Sequence, residues 1–297
     1  MIEDIEEGVT IIIPSKTEKF LQRTIEDVLE KADGPIEVFP VLDGYDIPEE
    51  EVVTDERVTY IKMEPTRHTK KRIGINLGVK KSQYKFVMSV DAHCMFAPGF
   101  DTILKRDWHE KWVMIPRRHR LDAENWCLQD QSDTRPPIDH EYIIWSGLMN
   151  KDHGLHGFKW DKRTRDEWDI PIGDTIAFQG SCWFMSKKWF NERGFMDLKY
   201  QGWGQEAEEL SMETWKHGGR VVTDKNTWYA HLHKGKKYGR MYWMSRHENR
   251  KSYKYAFNRW ICDHNEFFIE LVKKFPRMPR WPDNWEEVIR SLKDKRK

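Results

Sequence analysis

Apolar and polar residues fall into blocks along the N-terminal third of the chain, and the blocks have the lengths of strands and helices. The β-branched run at 9–14 predicts a buried parallel strand, and apolar positions at helical spacing from Phe20 to Leu29 predict the helix that follows. Further elements are predicted as strands at 36–42, 58–63 and 85–90 and as a helix over roughly 68–80. Because strands and helices alternate in this way, we expect a doubly wound α/β sheet.

The pattern changes after residue 100, where an α+β arrangement is predicted. The expected elements are helices at 99–110, 186–193 and 204–217 and strands at 113–116, 182–185, 220–222 and 227–230. Residues 117–175 are polar, rich in Trp, His and Asp and without clear periodicity, which is typical of a segment that carries function or forms a lid. Residues 241–297 are expected to be mostly helical.

Polar residues follow three of the predicted strands at the point where each strand ends. These residues are Ser15, Asp43 and Asp91. In open α/β sheets, ligands bind at the carboxyl ends of the strands. The three side chains therefore predict a ligand site at one edge of the sheet.

The charge of the chain is balanced overall but divided unevenly along it. Among 297 residues there are 50 Lys and Arg against 49 Asp and Glu, and the resulting net charge of +1 alone predicts no polyanionic partner. Residues 223–297, however, hold 19 basic against 9 acidic residues, together with 14 aromatic ones. An acidic body therefore carries a basic, aromatic C-terminal segment.

Cysteine usage and the N-terminus predict a soluble protein in a reducing compartment. The four cysteines are widely spaced and form no CxxC pair, which favours free thiols over a disulfide framework. The N-terminus is acidic and lacks the apolar stretch of a secretory signal. The longest apolar runs are far too short for a membrane span. We expect a cytoplasmic location, in the host cytoplasm if the protein is viral.

The tripeptide Asp91-Ala92-His93 is the first candidate for chemistry, because it directly follows a hydrophobic strand. Both polar side chains reach the strand end from one short turn. A carboxylate with an imidazole suits a divalent ion such as Mn²⁺. The alternative is an aspartate that only caps a turn at the strand end.

A second candidate lies at Trp228–Lys234, where His231 and His233 alternate along a predicted strand and so share a face. Either histidine could complete a metal site. A basic side chain beside a phosphate would come from Lys234, Lys236, Lys237 or Arg240. The alternative is a pair of surface histidines.

A third candidate is the segment 202–211, in which two glycines precede a run of carboxylates at a helix start. Glycines let the backbone approach a ligand closely, and carboxylates are favoured electrostatically at a helix N-terminus. Glu206 could act as a general base or hold an acceptor hydroxyl. The alternative is an ordinary N-terminal charge cluster.

Taken together and in this order, the three motifs resemble those of the nucleotide-sugar glycosyltransferases of the GT-A fold. The likeness is greatest to family 2 and to the catalytic domain of the polypeptide N-acetylgalactosaminyltransferases, and it covers about residues 8–240. It implies a GT-A (Rossmann-like) mixed sheet flanked by helices. The catalytic domain would occupy 1–240, and a basic, aromatic-rich, mostly helical extension would occupy 241–297.

The resemblance also implies roles for individual residues. Nucleotide-sugar contacts are implied for Pro14, Ser15, Asp43, Arg72, Asn76, Asp91, Lys234 and Arg240, although Asn76 is offset from the position usual in the family. Metal ligands are implied at Asp91 and His93, with His231 or His233 as the next one. Acceptor contacts are implied for Gly180, Trp203, Gly204 and Glu206.

The catalytic base implied by the resemblance is Glu206, with Glu208 and Glu209 as alternatives. The choice stays open because Ala207 stands where family 2 often has an aspartate. Retaining relatives lack such a base, so the resemblance leaves the anomeric outcome undecided.

The implied reaction moves a sugar from a nucleotide sugar, most simply a UDP-sugar, to a hydroxyl acceptor, with Mn²⁺ or alternatively Mg²⁺ as cofactor. Basic groups interleaved with aromatic rings in 223–297 can neutralise phosphates and stack on bases. A hydroxymethylpyrimidine in DNA, as in phage DNA modification, is therefore one candidate acceptor. If the segment is instead a helical cap with its aromatic rings on the sheet, a polysaccharide or protein hydroxyl is the alternative.

Two other classes of protein are weighed against this interpretation. A nucleic-acid-binding protein on an inactive glycosyltransferase fold is disfavoured, because Asp91, His93, Glu206 and His231 are all present. A nucleotidyltransferase would usually need a glycine-rich basic loop after the first strand, and residues 13–17 contain no glycine.

Overall fold

The fold is described from a computed structural model of the chain, for residues 7–65, 71–129, 135–150, 153–239 and 244–293. The strands are β1 Val9–Ser15, β2 Ile36–Asp43, β3 Ile61–Met63, β4 Phe86–Val90, β5 Cys94–Phe96, β6 Trp112–Asp122, β7 Cys127–Leu128, β8 Glu141–Ile143, β9 Gly157–Lys159, β10 Ile172–Asp174, β11 Cys182–Ser186 and β12 Arg220–His231.

The helices lie between and after these strands. They are α1 Leu21–Lys31, α2 Lys71–Lys81, α3 Phe100–Asp107, α4 Trp145–Leu148, α5 Asp161–Asp166, α6 Lys187–Glu192, α7 Glu206–Lys216, α8 Gly235–Tyr238, α9 Arg246–Phe257, α10 Asn265–Lys273 and α11 Trp285–Arg290. A 3₁₀ turn at Glu49–Glu51 and a π-helical turn at Asn258–Asp263 complete the described elements.

One large mixed sheet organises the molecule. In the described residues it has ten strands, in the order β10-β12-β6-β11-β4-β1-β2-β3, with β5 on β12 and β7 on β6. Strand β1 pairs in parallel with β2 and β4, whereas β11 runs antiparallel to β4. The doubly wound half is therefore extended by a mixed half, in which β11 runs antiparallel to β4 and β6 whereas β12 is parallel to β6. The predicted mixed sheet flanked by helices, with a mostly helical C-terminal region, is confirmed.

Strands β6 and β12 differ from the prediction, which had β6 stop at Pro116 and had β12 as two short strands. Strand β6 continues to Asp122, and β12 is one strand with a register shift between Asp224 and Trp228. Polar residues continue β6 because buried carboxylates pair with them. Arg117 bonds Asp139 at 2.9 Å, for example. Such pairing needs residues distant in sequence and cannot be seen in a local pattern.

The C-terminal helices pack onto the same hydrophobic core as the sheet. Trp260 is fully buried, and its Nε1 donates a hydrogen bond to the hydroxyl of Tyr200 at 3.0 Å. Trp281 is also buried and donates from Nε1 to the carbonyl of Ile143 at 2.7 Å. Among the helices described, none is both long and apolar enough to cross a membrane.

Candidate active site

A cavity of about 870 Å³ opens at the carboxyl ends of β1, β2 and β4. The N-terminal end of α7 and the segment after β12 form its other walls. Thirteen of the residues predicted from the sequence line it: Pro14, Ser15, Asp43, Asp91, His93, Gly180, Trp203, Gly204, Glu206, Glu208, His231, His233 and Lys234. The fold thus brings together, in one cavity, residues from motifs that lie far apart along the chain.

Five described residues among the predicted ones do not line the cavity: Arg72, Asn76, Glu209, Lys236 and Lys237. Arg72 is buried and donates from Nη1 to Glu206 and from Nε to Glu209, at 3.0 Å each. The Asn76 side chain donates to the carbonyl of Met196 and accepts from its N–H, both at 3.0 Å. Arg72 and Asn76 thus hold neighbouring elements together behind the cavity wall, and the Glu209 carboxylate is paired with Arg72.

The predicted position Arg240 lies outside the described residues. The adjoining segment is described up to Gly239. It contains the short helix α8, and Gly235 and Gly239 flank that helix with left-handed φ angles of 54° and 58°.

Three predicted metal ligands meet in the cavity. The ligand atoms of Asp91, His93 and His231 lie within 4.8 Å of one another. The Nε2 atoms of the two histidines are 3.1 Å apart, and His231 Nε2 is 3.5 Å from Asp91 Oδ2. Both Nδ1 atoms are buried and have no hydrogen-bond partner in the part of the chain that is described. Two nitrogens and one carboxylate oxygen thus converge on one point.

The electrostatics of these groups suit a divalent cation. Burial lowers the pKa of His231 to about 3, so its imidazole is neutral and can offer a lone pair. Burial alone would raise the pKa of Asp91, but Lys71 and the two histidines hold that pKa well below its usual value. One carboxylate with two imidazoles is a donor set that Mn²⁺ accepts. The residues present therefore fit the metal that the sequence predicts.

The register of β12 distinguishes the two histidines that the sequence left as alternatives. His231 pairs with Cys94 of the antiparallel strand β5, directly after His93. His233 lies beyond the end of β12 and lines the cavity with its ring centroid 5.2 Å from that of His231. Burial and the charges of Arg118 and Arg120 lower the pKa of His233 to about 4. In the described residues the ligand group includes His231 and not His233.

Three lining residues escaped the sequence reasoning because their partners lie far away along the chain. Lys71 forms an ion pair with Asp91 and donates to the carbonyl of Gly180 at 2.7 Å. Lys16 donates to Asp43 Oδ2 at 2.8 Å. Glu18 forms an ion pair with Lys234, and its Oε2 atom lies 3.4 Å from Nδ1 of His93. Their charges were visible in the sequence, but no spacing rule connects them with their partners.

The opposite wall of the cavity is formed by the start of α7, where Gln205, Glu206 and Glu208 line it. Gln205 adopts a left-handed φ of 65°, and its side chain bonds both the N–H and the carbonyl of Leu155. Burial raises the pKa of Glu208 to about 8, with Glu206 and Glu141 adding to the shift. The α7 wall therefore presents one ion-paired carboxylate, Glu206, and one carboxyl that is protonated at neutral pH.

Several basic groups of the C-terminal segment pair with carboxylates. Arg259 pairs with Asp197 at 2.7 Å and also with Glu213, and Arg290 pairs with Glu286 at 2.9 Å and with Glu266. The large rings of Phe257, Trp260, Phe268, Phe275 and Trp281 are buried in the core. These five rings are therefore unavailable to stack on bases, which favours the alternative of a helical cap.

Comparisons with known proteins identify the family of the chain. A family model described as Glycosyl transferase family 2 matches residues 10–194. The chain is 27% identical over 214 residues to Probable N-acetylgalactosaminyltransferase 7 of Caenorhabditis elegans, covering 68% of this chain and 34% of the relative. It is 26% identical over 244 residues to Polypeptide N-acetylgalactosaminyltransferase 3 of Drosophila melanogaster, covering 76% and 34%. The chain thus spans about a third of the length of these curated relatives.

Solved structures show the same architecture. A crystal structure of GalNAc-T7 with UDP, GalNAc and Mn²⁺ superposes with a TM-score of 0.64 at 15% identity, covering 97% of this chain and 54% of that one. A likeness at this identity concerns the fold, and it confirms the GT-A arrangement. With its family match over 10–194 and its likeness to N-acetylgalactosaminyltransferases, the chain belongs to glycosyltransferase family 2.

Proposed function

We propose that the chain is a metal-dependent glycosyltransferase that moves a sugar from a nucleotide sugar, a UDP-sugar, to a hydroxyl acceptor. The observation that carries this proposal is the meeting of Asp91, His93 and His231 in one cavity at the carboxyl edge of the sheet. Family membership and the Mn²⁺ and UDP of the GalNAc-T7 structure support it. UDP-N-acetylgalactosamine is the first donor to test, because the relatives are named for that sugar.

The donor would occupy the side of the cavity that β1, β2 and β4 form. Asp91, His93 and His231 would hold Mn²⁺, or alternatively Mg²⁺, and that ion when bound offsets the charge of the diphosphate leaving group. Lys234 lines the same cavity and would add a positive charge beside the phosphates. Asp43, with Pro14 and Ser15 at the end of β1, would contact the nucleoside.

The acceptor would approach the α7 wall, beside Gly180, Trp203 and Gly204. Glu206 would take the proton of the acceptor hydroxyl, because it lines the cavity as a carboxylate oriented by Arg72. Glu208 is the alternative on the same wall, but with a pKa raised to about 8 its carboxyl would first have to lose its own proton to act as a base. Glu209 is a weaker candidate, because its carboxylate is buried against Arg72.

For the acceptor, the names of the relatives favour a polypeptide hydroxyl. A hydroxymethylpyrimidine in DNA is the second candidate, and it rests on the surplus of basic residues in 223–297. The ion pairs of Arg259 and Arg290 weaken that argument. A cytoplasmic location remains a prediction from the free cysteines.

The test is a screen of UDP-sugars with Mn²⁺, scored by release of UDP. Each donor is assayed with no acceptor, with a Ser/Thr-containing peptide and with hydroxymethylated DNA, with EDTA as the metal-free control. We expect Mn²⁺-dependent UDP release that one acceptor stimulates. Release of pyrophosphate would instead indicate a nucleotidyltransferase, and an absence of turnover with every donor would contradict the proposal.

A further inference from the structure

Glu18 lies between His93, a proposed metal ligand, and the ammonium group of Lys234 at the cavity. It lies in the connection between β1 and α1, and its side chain is 9% exposed. Its Oε2 atom is 3.4 Å from His93 Nδ1 and also forms an ion pair with Lys234 Nζ. One carboxylate oxygen of Glu18 thus contacts both a proposed metal ligand and a proposed phosphate contact.

The contact with His93 bears on how that ring can bind a metal. A neutral imidazole that offers Nε2 to a cation must carry its proton on Nδ1. His93 Nε2 faces His231 Nε2 across 3.1 Å, so Nε2 is the nitrogen on the ligand side. The Nδ1 atom points the other way, is buried, and has no hydrogen-bond partner in the described parts of the chain. At 3.4 Å, Glu18 Oε2 is the carboxylate oxygen in place to accept a hydrogen bond from that Nδ1–H.

A carboxylate behind a metal-binding histidine has a known physical effect. It fixes the tautomer and the ring orientation and makes the ligating nitrogen more basic. His231 Nδ1 has no such acceptor in the described residues. Of the two imidazole rings, only that of His93 would therefore be held in its orientation by a carboxylate behind it.

The contact with Lys234 extends the argument to the donor. Lys234 directly precedes α8 and lines the cavity, so a diphosphate bound there would compete with Glu18 for its ammonium group. When Lys234 turns to the diphosphate, Glu18 is left to accept from His93 alone. Donor binding would then strengthen the support behind the metal ligand.

We propose that Glu18 is a positioning residue, which holds His93 with Nε2 presented to the divalent ion and releases Lys234 to the donor diphosphate. The proposal rests on the proposed function, because it presumes that Asp91, His93 and His231 hold a metal. Glu18 itself touches neither ion nor sugar in this scheme.

The experiment measures Mn²⁺ affinity of the full chain by titration with electron paramagnetic resonance of free Mn²⁺, with and without UDP. We expect Glu18→Ala to weaken Mn²⁺ binding about 10- to 100-fold. Glu18→Asp keeps the charge but shortens the reach, and it should weaken binding as well. Glu124→Gln is the matched control, because Glu124 pairs with Tyr238 and Lys237 of the adjoining segment and should leave the affinity unchanged.

Two further measurements separate positioning from charge or general structure. The ¹⁵N shifts of the His93 ring in the metal-free chain should report a proton on Nδ1 in the wild type and a mixture of tautomers in Glu18→Ala. Glu18→Gln, which keeps the size and can still accept a hydrogen bond, should retain the Nδ1 tautomer. Lys234→Met should weaken UDP binding and leave Mn²⁺ binding without UDP intact.

The outcomes distinguish this inference from the proposed function. If the wild type binds Mn²⁺ and Glu18→Ala binds it equally well, positioning by Glu18 is wrong and the metal site stands. If Lys234→Met weakens Mn²⁺ binding as much as Glu18→Ala does, the effect runs through Lys234, and the inference is again wrong. If the wild type binds no Mn²⁺ with or without UDP, the proposed metal site fails and the inference fails with it.

Discussion

The Nη1 atom of Arg72 donates a hydrogen bond to Oε1 of Glu206 at 3.0 Å, which joins helix α2 to the first residue of α7. Its Nε atom bonds Glu209 at the same distance, and its Nη1 also bonds the carbonyl of Gly204. Arg72 is 4% exposed, so these charges compensate one another away from water. The position of the proposed base therefore depends on a buried cation outside the cavity lining.

Substituting Arg72 by Met should destabilise the protein strongly. The change leaves two carboxylates without their cation, and breaking a buried ion pair by removing one partner costs about 3–5 kcal/mol. The free energy of unfolding from urea titration measures this. The control is Lys188→Met, which removes an ion pair to Glu110 at a side chain that is 65% exposed and should change the free energy of unfolding far less. Equal losses in the two variants would contradict the role given to Arg72.

The two histidines at the end of β12 should differ sharply when substituted. His231→Ala removes one of three converging ligands, so Mn²⁺ affinity should fall by more than the roughly 10- to 100-fold typical of groups behind the ligands. His233→Ala removes a cavity wall residue and should leave Mn²⁺ affinity nearly unchanged. Titration with free Mn²⁺ compares the two. A loss in His233→Ala as large as that in His231→Ala would show that the ligand set is wrong.

Gln205 should tolerate glycine better than alanine, although both lose its side-chain bonds to Leu155. Alanine keeps a left-handed φ that costs a non-glycine residue about 1–2 kcal/mol, whereas glycine adopts it freely. Thermal and urea unfolding should therefore rank the wild type first, Gln205→Gly second and Gln205→Ala third. If alanine equals or exceeds glycine, the backbone there relaxes once the bonds to Leu155 are gone.

Glu208 should make the folded state less stable as the pH rises from about 7 to 8. Its pKa is raised to about 8 by burial, so the folded chain keeps a proton there that the unfolded chain has already released. Stability is therefore present at low pH and lost as the pH rises through the folded value. The loss is at most about 1.4 kcal/mol per pH unit, and about 1 kcal/mol over this window.

The measurement is the slope of unfolding free energy against pH in wild type and Glu208→Gln, which should lose that slope. Asp224, whose burial raises its pKa to about 7, contributes mainly below this window. The exposed Glu192→Gln, with a side chain 46% exposed, serves as the control and should keep the slope. Equal slopes in the wild type and in Glu208→Gln would contradict the assignment, because buried histidines such as His231 and His233, whose pKa values burial lowers, add a rising contribution to both.

The site residues at the carboxyl ends of the parallel strands could be predicted from the sequence. The rule that such ends meet at one edge of a sheet needs only the positions of the strands. Ser15, Asp43 and Asp91 each follow an apolar run, and parallel strands bring such ends to one edge. The likeness of Asp91, His93 and Glu206 to family motifs added the chemistry. None of this required knowledge of side-chain contacts across the fold.

The partners of the site residues could not be predicted, because they depend on packing between distant segments. Lys71 and Arg72 are neighbours on α2, yet Lys71 pairs with Asp91 in the cavity while Arg72 pairs with Glu206 behind the wall. Charge alone did not distinguish them. His231 was separated from His233 only by the register of β12 on β5.

The predicted boundary at residue 240 remains open, and Trp260 provides its test. If 241–297 were a separable extension, changes there would leave residues 1–240 folded. Trp260 is instead fully buried in the core shared with the sheet, and it bonds the Tyr200 hydroxyl. We therefore expect Trp260→Ala to cost about 3–5 kcal/mol, as for other large buried side chains. Phe158→Ala is the control, because Phe158 is 48% exposed and its loss should cost far less.

Unfolding of Trp260→Ala should also stay a single transition that tryptophan fluorescence and far-ultraviolet circular dichroism report at the same urea concentration. Coincident curves are expected because the helices after residue 245 and the sheet bury one continuous set of apolar side chains. Two separated transitions, with the first confined to the C-terminal helices, would instead show that the extension unfolds on its own. In that case residues 1–240 could be assayed without the C-terminal helices, and that assay would show whether transfer to the acceptor needs them.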